Sequence, residues 1–177
     1  MNDFLTHSDA VWLSGYPIPP IVYVIGAYQG NTVRHIRNLS PETRIFAFDP
    51  QQWALDRWRG DARIWKFPVA LALHTGEVSL SGYETDGASS AIYRNGPRAT
   101  LRSVDAREFL RFIPSPQLIV MNIEGAEHEL IPHIEKMCPD CTWLVQNHGL
   151  EDRLARNLPF ENAQLIARIA DGWEVWS

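Results

Sequence analysis

Short apolar runs that alternate with helical segments constrain the fold of this chain more than any other feature. The clearest run is Ile21–Ile25, in which four of the five residues are β-branched. An unbroken apolar run of this length is typical of a strand that is buried on both faces of a parallel sheet. In the following segment, Val33, Ile36 and Leu39 recur at helical spacing. The first two elements therefore predict a strand that is followed by a crossover helix.

The same alternation continues along the chain. Further strands are predicted at residues 44–48, 63–67, 117–123, 142–146 and 173–176, and further helices at 51–57, 106–112, 127–136 and 162–170. The last of these helices is predicted because Leu165, Ile166 and Ile169 would share one helical face. Strands that alternate with helices indicate an α/β fold with a Rossmann-like, doubly wound and mostly parallel sheet.

Two regions depart from the alternation. Residues 1–20 carry three prolines near their end and are predicted to form a loop before the first strand. Glycines divide the middle of the chain into short segments around 78–83 and 100–104, which predict an antiparallel hairpin excursion. Because the sequence has no internal repeat, low-complexity segment or linker, residues 1–177 are expected to form a single domain.

Charge and composition argue against several functional classes. The net charge is −5, so the chain lacks the basic field of a general nucleic-acid binder. Its apolar stretches are too short to span a bilayer, and its first residues lack the basic start and long apolar run of a secretory signal. We therefore expect a cytoplasmic protein that binds neither nucleic acid nor a membrane. The oligomeric state is left open.

Two cysteines, Cys138 and Cys141, form the sequence Cys-Pro-Asp-Cys. Redox pairs of the thioredoxin type open a helix, whereas this pair is predicted to follow one. A structural zinc site would need a second pair of ligands, which the sequence lacks. We interpret these residues as two loop thiols.

Candidate ligand-binding residues follow the first two strands, at the end of the sheet where ligands bind in folds of this kind. The turn at residues 26–30 reads Gly-Ala-Tyr-Gln-Gly, and Asn31 is the predicted cap of the next helix. A tight turn with close helix–sheet packing would explain the two glycines equally well. Asp49 directly follows the second strand. A carboxylate about 20 positions after a glycine turn is where ribose hydroxyls bind in nucleoside-binding folds, so the pair favours a nucleoside ligand.

A third polar segment follows the strand at 117–123. Residues 122–127 read Asn-Ile-Glu-Gly-Ala-Glu, and their side chains should face the same crevice. Glu127 lies near the start of the next helix, where a carboxylate is stabilised by the helix dipole, so capping is its expected role. Glu124 precedes the helix and is the better candidate for a binding role.

Together these segments resemble the FkbM-type S-adenosylmethionine-dependent methyltransferases, from Val22 to about Gly149. Six elements occur in order, which is more specific than any one of them. They are the turn at 26–30 (similar to the family's DVGANxG), 46–50 (FAFEP), 70–78 (ALSDxxGEV), the Gly-Ala-Ser-Ser at 87–90 (a small-residue and serine stretch), 122–127 (KIDVEGAE), and 143–148 (a strand that ends in Glu and often His).

The resemblance implies a class I methyltransferase fold, S-adenosylmethionine as the cofactor, and O-methylation of a sugar, a glycan or another small-molecule hydroxyl. The cofactor-binding residues by this likeness are Gly26, Ala27, Tyr28, Gly30, Asp49 and Asn122. Among them, Asp49 would hold the ribose hydroxyls. The Tyr28 ring could pack against the sulfonium, because cations are attracted to aromatic faces.

Several acidic residues of the family pattern are replaced in this chain. Val24, Leu73 and Asn122 stand where the family has Asp, and Gln146 stands where it has Glu. An amide cannot act as a general base or offset the charge of a sulfonium. The alternative function is therefore that of a non-catalytic binding or assembly module with a methyltransferase fold. A nucleotide-binding oxidoreductase is less favoured, because the Gly-x-Gly-x-x-Gly pattern is absent.

The candidate catalytic residues are Glu124 and His148. Methyl transfer depends on in-line alignment, and a hydroxyl acceptor gains from a base within hydrogen-bond reach. A histidine just past a buried strand is suited to proton transfer near neutral pH, although a loop histidine that is bonded to the backbone is an equally simple interpretation of His148. The remaining histidines and carboxylates form no convincing metal triad, so no metal is expected.

Overall fold

A computed structural model describes residues 8–58, 61–81, 98–148, 158–169 and 172–177 of the chain. Its strands are β1 (Ile21–Ile25), β2 (Arg44–Phe48), β3 (Ile64–Phe67), β4 (Ala70–Ala72), β5 (Gly76–Ser81), β6 (Arg98–Asp105), β7 (Leu118–Met121), β8 (Thr142–Gln146), β9 (Leu165–Arg168) and β10 (Trp173–Trp176). Its helices are α1 (Ser8–Gly15), α2 (Asn31–Leu39), α3 (Gln52–Asp56), α4 (Ala106–Phe109) and α5 (Glu127–Glu135), and a 3-10 turn at Leu110–Phe112 follows α4.

The main sheet confirms the predicted Rossmann-like, mostly parallel α/β architecture. Its strands pair in the order β3-β2-β1-β7-β8-β10-β9. From β3 to β8 the neighbours are parallel, whereas β10 is antiparallel to both β8 and β9. The strand order reverses between β1 and β7. The carboxyl ends of these two strands therefore form the switch point at which sheets of this kind bind ligands.

The sheet is covered on both faces because alternate side chains of a strand point to opposite sides. In β1, Tyr23 and Ile25 belong to the core that is shared with α4 and α5. Val22 and Val24 belong to the opposite core, which is shared with α1, α2 and α3. All five residues of β1 are buried, which accounts for its unbroken apolar sequence.

A smaller sheet, in the order β4-β6-β5, confirms the predicted antiparallel excursion. β5 pairs with β6 in antiparallel register from Gly76 to Ser81, and β4 is parallel to β6. Val78 and Leu80 of β5 face the same cavity as Ile25 of β1. The small sheet therefore forms one wall of the space at the switch point. The serine stretch predicted at 87–90 lies outside the described residues.

The prediction that residues 1–20 form a loop is wrong for residues 8–15, which form helix α1. Leu13 is fully buried and Ala10 is 7% exposed, because this helix packs against α2 on one face of the sheet. The Thr32 hydroxyl donates a hydrogen bond to the Asp9 carboxylate, which joins the two helices. The prolines that suggested a loop come after the helix and connect it to β1.

The predicted helix at 162–170 is also wrong, since Leu165–Arg168 is the edge strand β9. Two residues of the predicted apolar face are exposed in this strand, Leu165 at 36% and Ile166 at 64%. The backbone groups of Gln164 and Ser177 exchange two hydrogen bonds of 2.9 and 3.1 Å beside the strand. Pairing with β10 therefore overrides the local helical pattern.

Glu135 fixes the path of the chain into β9. Its side chain is buried, and its carboxylate accepts backbone hydrogen bonds from Glu161, Asn162 and Ala163 at 2.8, 2.9 and 2.8 Å. A carboxylate that accepts three amide hydrogen bonds replaces water as the partner of a segment that has no secondary structure of its own. This contact explains why the segment enters the sheet extended.

We predict that Glu135→Ala lowers the free energy of unfolding by about 3 kcal/mol, because three amides lose their acceptor. Urea denaturation measures the change. Glu161→Ala is the matched control, since it removes an exposed carboxylate that pairs with Lys136 and should cost less than about 1 kcal/mol. Equal effects of the two substitutions would contradict the assigned role of Glu135.

Candidate functional site

The turn after β1 and the turn after β7 touch through their backbones. Gly26 has a φ of 83°, and a Cβ atom there would lie 1.8 Å from the carbonyl oxygen of Asn122. Only glycine satisfies both conditions, because a side chain would meet a rigid carbonyl group. The amides of Gly26 and Ala27 also donate to the carbonyl of Phe48, at 2.9 and 3.0 Å. Three strand ends are thus joined at one point.

Asp49, which directly follows β2, stabilises this junction. The residue is 5% exposed, and its carboxylate accepts hydrogen bonds from the amides of Tyr28 and Gln51 at 2.7 and 2.8 Å. Burial raises the pKa of Asp49 to about 6, against the lowering effect of the two amides. Each carboxylate oxygen has a second lone pair, and Asp49 lines the cavity described next. It can therefore still accept hydrogen bonds from a ligand.

A cavity of about 460 Å³ lies at the carboxyl ends of β1, β2 and β7. Asp49, Asn122 and Glu124 supply its polar side, and the apolar side chains of β4 and β5 supply the opposite wall. Its size falls within the range of small-molecule sites, and its mixture of a large apolar wall with a few convergent polar groups is typical of them. We call this space the first cavity.

A second cavity of about 590 Å³ lies on the other side of the junction, between helices α1 and α2 and the ends of β1, β7 and β8. Asp9, Thr32, Gln146 and Trp173 are among its lining residues. The two cavities have four lining residues in common: Ile25, Gly26, Tyr28 and Asn122. The junction of the two turns is therefore also the partition between the cavities.

Asn122 is the polar side chain of this partition. Its backbone amide donates to the carbonyl of Ile25 at 2.9 Å. Its side-chain Oδ1 atom is buried and has no hydrogen-bond partner among the described residues. Since buried polar atoms of native proteins are nearly always paired, Asn122 has hydrogen-bonding capacity in reserve between the two cavities.

Glu124, Glu127 and His148 form a polar cluster beside the first cavity. The His148 ring lies between the two carboxylates, with Nδ1 2.9 Å from Oε1 of Glu127 and Nε2 3.6 Å from Oε2 of Glu124. Glu124 has a left-handed φ of 56°, which is uncommon for a residue with a side chain. The structure therefore brings the two predicted catalytic residues together and adds Glu127, for which the sequence predicts a capping role.

The predicted binding residues lie in three different places. Gly26, Tyr28, Asp49, Asn122 and Glu124 line the first cavity. Ala27 lines the second cavity. Gly30 lies instead under the indole of Trp58, where a Cβ atom would be 2.6 Å from the ring, so its small size serves helix packing. The predicted cap by Asn31 is wrong, because Gly30 precedes α2 with a φ of 76° and no side chain caps the helix.

The replaced positions of the family pattern also lie around the cavities. Leu73 is at the rim of the first cavity, and Val24 and Gln146 line the second. Val24 is 2% exposed and packs in the core on the α2 side. Uncharged side chains therefore border the two cavities at the positions where the family pattern that the sequence resembles has acids.

Cys138 and Cys141 are buried free thiols in the turn after α5. Burial raises the pKa of Cys138 to about 11 and raises that of Cys141 as well. The thiolate is the reactive form, so neither side chain is activated. Within the described residues, no group of three histidine, cysteine or acidic side chains is arranged to hold a metal ion, and no helix is long and apolar enough to cross a membrane.

No protein-family model matches the chain, and no curated protein matches its sequence. Solved structures do match. A precorrin-6y C5,15-methyltransferase from Geobacter metallireducens has a TM-score of 0.56 at 13% identity and covers 95% of this chain and 84% of its own. Fibrillarin from Aeropyrum pernix, with natively bound S-adenosyl-L-methionine, has a TM-score of 0.50 at 11% identity, and the match covers 94% of this chain and 71% of the fibrillarin chain. These likenesses show a class I, Rossmann-like methyltransferase fold.

Other matching structures are longer than this chain. The chain spans 56% of the matched protein in a fibrillarin/Nop5p complex and 44% of the plantazolicin methyltransferase BpumL in complex with SAH. It therefore corresponds to about half of each of those two structures.

We predict that Gly26→Ala lowers the free energy of unfolding by more than about 3 kcal/mol, because the new methyl group would meet the Asn122 carbonyl and the left-handed φ is strained for alanine. Thermal or urea unfolding measures this. Gly15→Ala is the control, since a Cβ atom there meets nothing within 4 Å. If Gly26→Ala were as mild as the control, the two turns would not be in contact.

A pH dependence follows from Asp49. Its pKa rises from the ordinary 3.8 to about 6 on folding, so the folded state favours the protonated form. The stabilisation that protonated Asp49 gives to the folded state is fully present below pH 4 and is lost as the pH rises to about 6. Between these pH values the free energy of unfolding should fall by up to about 3 kcal/mol. Urea titrations of the wild type and Asp49→Asn across this range measure it. The same slope in both proteins would contradict the assignment.

Proposed function

We propose that this chain is an S-adenosylmethionine-dependent methyltransferase that methylates a hydroxyl group of a small molecule or a glycan. The observation that carries the proposal is the buried Asp49 carboxylate, which lies beside the glycine turn and faces a cavity at the switch point of a methyltransferase fold. A carboxylate at this place offers two oxygens to a vicinal diol, the group that a ribose presents. The fibrillarin structure of the same fold carries S-adenosyl-L-methionine, which supports this choice of cofactor.

The residues of the first cavity fit such a cofactor. Asp49 would bind the ribose hydroxyls, and the apolar wall from β4 and β5 would cover the adenine. Gly26 leaves the space that a side chain would fill next to Asn122. The Tyr28 ring and the Asn122 amide lie at the partition, where they would contact the sulfonium end through cation–π attraction and dipole interactions.

The proposed acceptor site is the part of the first cavity beside Glu124. An acceptor there would meet the donor end of the cofactor directly, with no backbone between the two reactants, as methyl transfer requires. Asn122, Glu124 and Glu129 offer hydrogen-bonding groups, and Ile123 and Leu130 offer apolar surface. This lining suits a polar molecule with hydroxyl groups more than a purely apolar one.

The chain's own residues would align the reactants and remove one proton. Bound S-adenosylmethionine would supply an electrophilic methyl group. A new carbon–oxygen bond would form as the carbon–sulfur bond breaks, and the hydroxyl proton would leave to Glu124. His148, 3.6 Å from Glu124, could share that proton and pass it to water. Alignment of donor and acceptor within the first cavity would provide most of the acceleration, and the base a smaller part.

We include membership of the FkbM-type family in this proposal, because six sequence elements resemble those of the family and occur in the same order. The alternative is a binding module that keeps the fold and the cofactor cavity without catalysis. It is favoured by Val24, Asn122 and Gln146, three uncharged residues around the partition where the family pattern has acids. The Glu124 and His148 pair argues for the enzyme, because it retains a carboxylate and a titratable ring next to the first cavity.

Titration calorimetry with S-adenosylmethionine and S-adenosylhomocysteine tests the proposal. Binding below millimolar concentration is expected for both, with an affinity that falls at least tenfold in Asp49→Ala. Asp56→Ala is the control, because this exposed carboxylate of α3 accepts a hydrogen bond from Gln52, does not line the first cavity and should leave the affinity unchanged. The absence of binding by the wild type at millimolar concentration would reject the function.

Two further variants separate catalysis from binding. Glu124→Gln and His148→Ala should retain affinity for S-adenosylhomocysteine within about threefold and lose most methyl transfer in an assay against a panel of hydroxylated acceptors with radiolabelled donor. Binding without transfer to any acceptor by the wild type would favour the non-catalytic module.

A further inference from the structure

We infer that Glu127 is a positioning residue that holds both proposed catalytic side chains, Glu124 and His148, and fixes the His148 ring in the tautomer that carries its proton on Nδ1. This inference rests on the proposed function for its catalytic meaning. The contacts that support it belong to the free protein. Glu127 is fully buried, so its carboxylate has no water to bind and depends on the protein for its hydrogen bonds.

Three donors surround this carboxylate. Oε1 accepts from the amide of Ile123 at 2.8 Å and lies 2.9 Å from Nδ1 of His148, and Oε2 accepts from the amide of Gly125 at 2.7 Å. A carboxylate alone presents acceptors on both oxygens. The isosteric amide of glutamine would place an NH₂ group against at least one of these backbone donors. The site is therefore built for a charged residue at this position.

These contacts are different from those of a helix cap. A capping side chain binds amides of the first helical turn, and Ala126, the residue before α5, provides no such side chain. Glu127 is the first residue of α5, and its carboxylate points back to the turn that precedes the helix and across to a residue 21 positions later. Its partners are thus the loop that carries Glu124 and the end of the neighbouring strand β8.

The backbone contacts explain how Glu127 positions Glu124. Glu124 has a left-handed φ of 56°, which costs conformational energy in a residue with a side chain, and Gly125 follows it with a φ of 109°. The amides on either side of Glu124 are both bound by the one buried carboxylate. This clamp holds the left-handed turn and directs the Glu124 side chain to the first cavity.

The contact with His148 sets its tautomer. An ionised carboxylate can only accept, so the Nδ1 atom that faces Glu127 must carry a proton. In the neutral ring, Nε2 then has the lone pair and lies on the side of Glu124, 3.6 Å from its carboxylate. A proton taken by Glu124 would therefore meet a basic nitrogen. The reverse tautomer would present an N–H group there and could not accept it.

Two-bond ¹H–¹⁵N correlation NMR of the ¹⁵N-histidine-labelled protein tests this inference without any ligand. In the wild type above pH 8, the His148 signals should show a protonated Nδ1 and an unprotonated Nε2. In Glu127→Gln, the exclusive Nδ1–H form should be lost, because the amide can also donate to Nδ1. Glu108→Gln, which changes an exposed glutamate in the first turn of α4, should leave the pattern unchanged.

An Nε2–H tautomer in the wild type would overturn the inference, and so would an unchanged Nδ1–H pattern in folded Glu127→Gln. Glu127→Asp serves if the glutamine variant does not fold, since it keeps the charge but withdraws it from His148 and should also alter the tautomer. Calorimetry with S-adenosylhomocysteine then separates the two proposals. Failure of the wild type to bind rejects the function and leaves the NMR result standing. A tenfold loss of affinity in Glu127→Gln together with an unchanged His148 tautomer would show that Glu127 supports the cofactor cavity instead, which would overturn its assignment to the catalytic pair.

Discussion

The contact between Gly26 and the carbonyl of Asn122 is the constraint on which the rest of the site depends. A Cβ atom at residue 26 would lie 1.8 Å from that oxygen, so the turns after β1 and β7 can meet only because one of them has no side chain. Their meeting separates two cavities that open on opposite sides of the sheet. The same contact places Asn122 at the end of the first cavity near Glu124, where the donor end of the cofactor and the acceptor would meet without backbone between them.

Buried carboxylates fix the segments that connect the elements of the main sheet. Asp49 binds the amides of Tyr28 and Gln51, Glu127 binds those of Ile123 and Gly125, and Glu135 holds the path into β9 by three amides. Burying a charge is costly unless hydrogen bonds replace its water, and each of these groups is satisfied in this way. Asp49 and Glu127 also face the first cavity or its catalytic cluster, so the same groups that order the loops would determine the chemistry.

Sequence reasoning predicted the parts of the fold that depend on local pattern. The both-face burial of β1, the turn at 26–30 and the antiparallel β5–β6 pair all follow from residue type and spacing. It failed where distant partners decide the structure. Residues 8–15 form a helix because α2 provides a surface for Leu13, and Leu165–Arg168 forms a strand because β10 provides an edge. The role of Glu127 could not be predicted either, because its partner His148 is 21 positions away.

The most direct test of the central claim is a crystal structure of the protein with S-adenosylhomocysteine. We predict that the ribose hydroxyls lie within 3.2 Å of the Asp49 carboxylate, a normal hydrogen-bond distance, with the adenine against the wall from β4 and β5 and the sulfur near Asn122, directed to Glu124. A ligand that bound elsewhere, or a ribose that avoided Asp49, would contradict it.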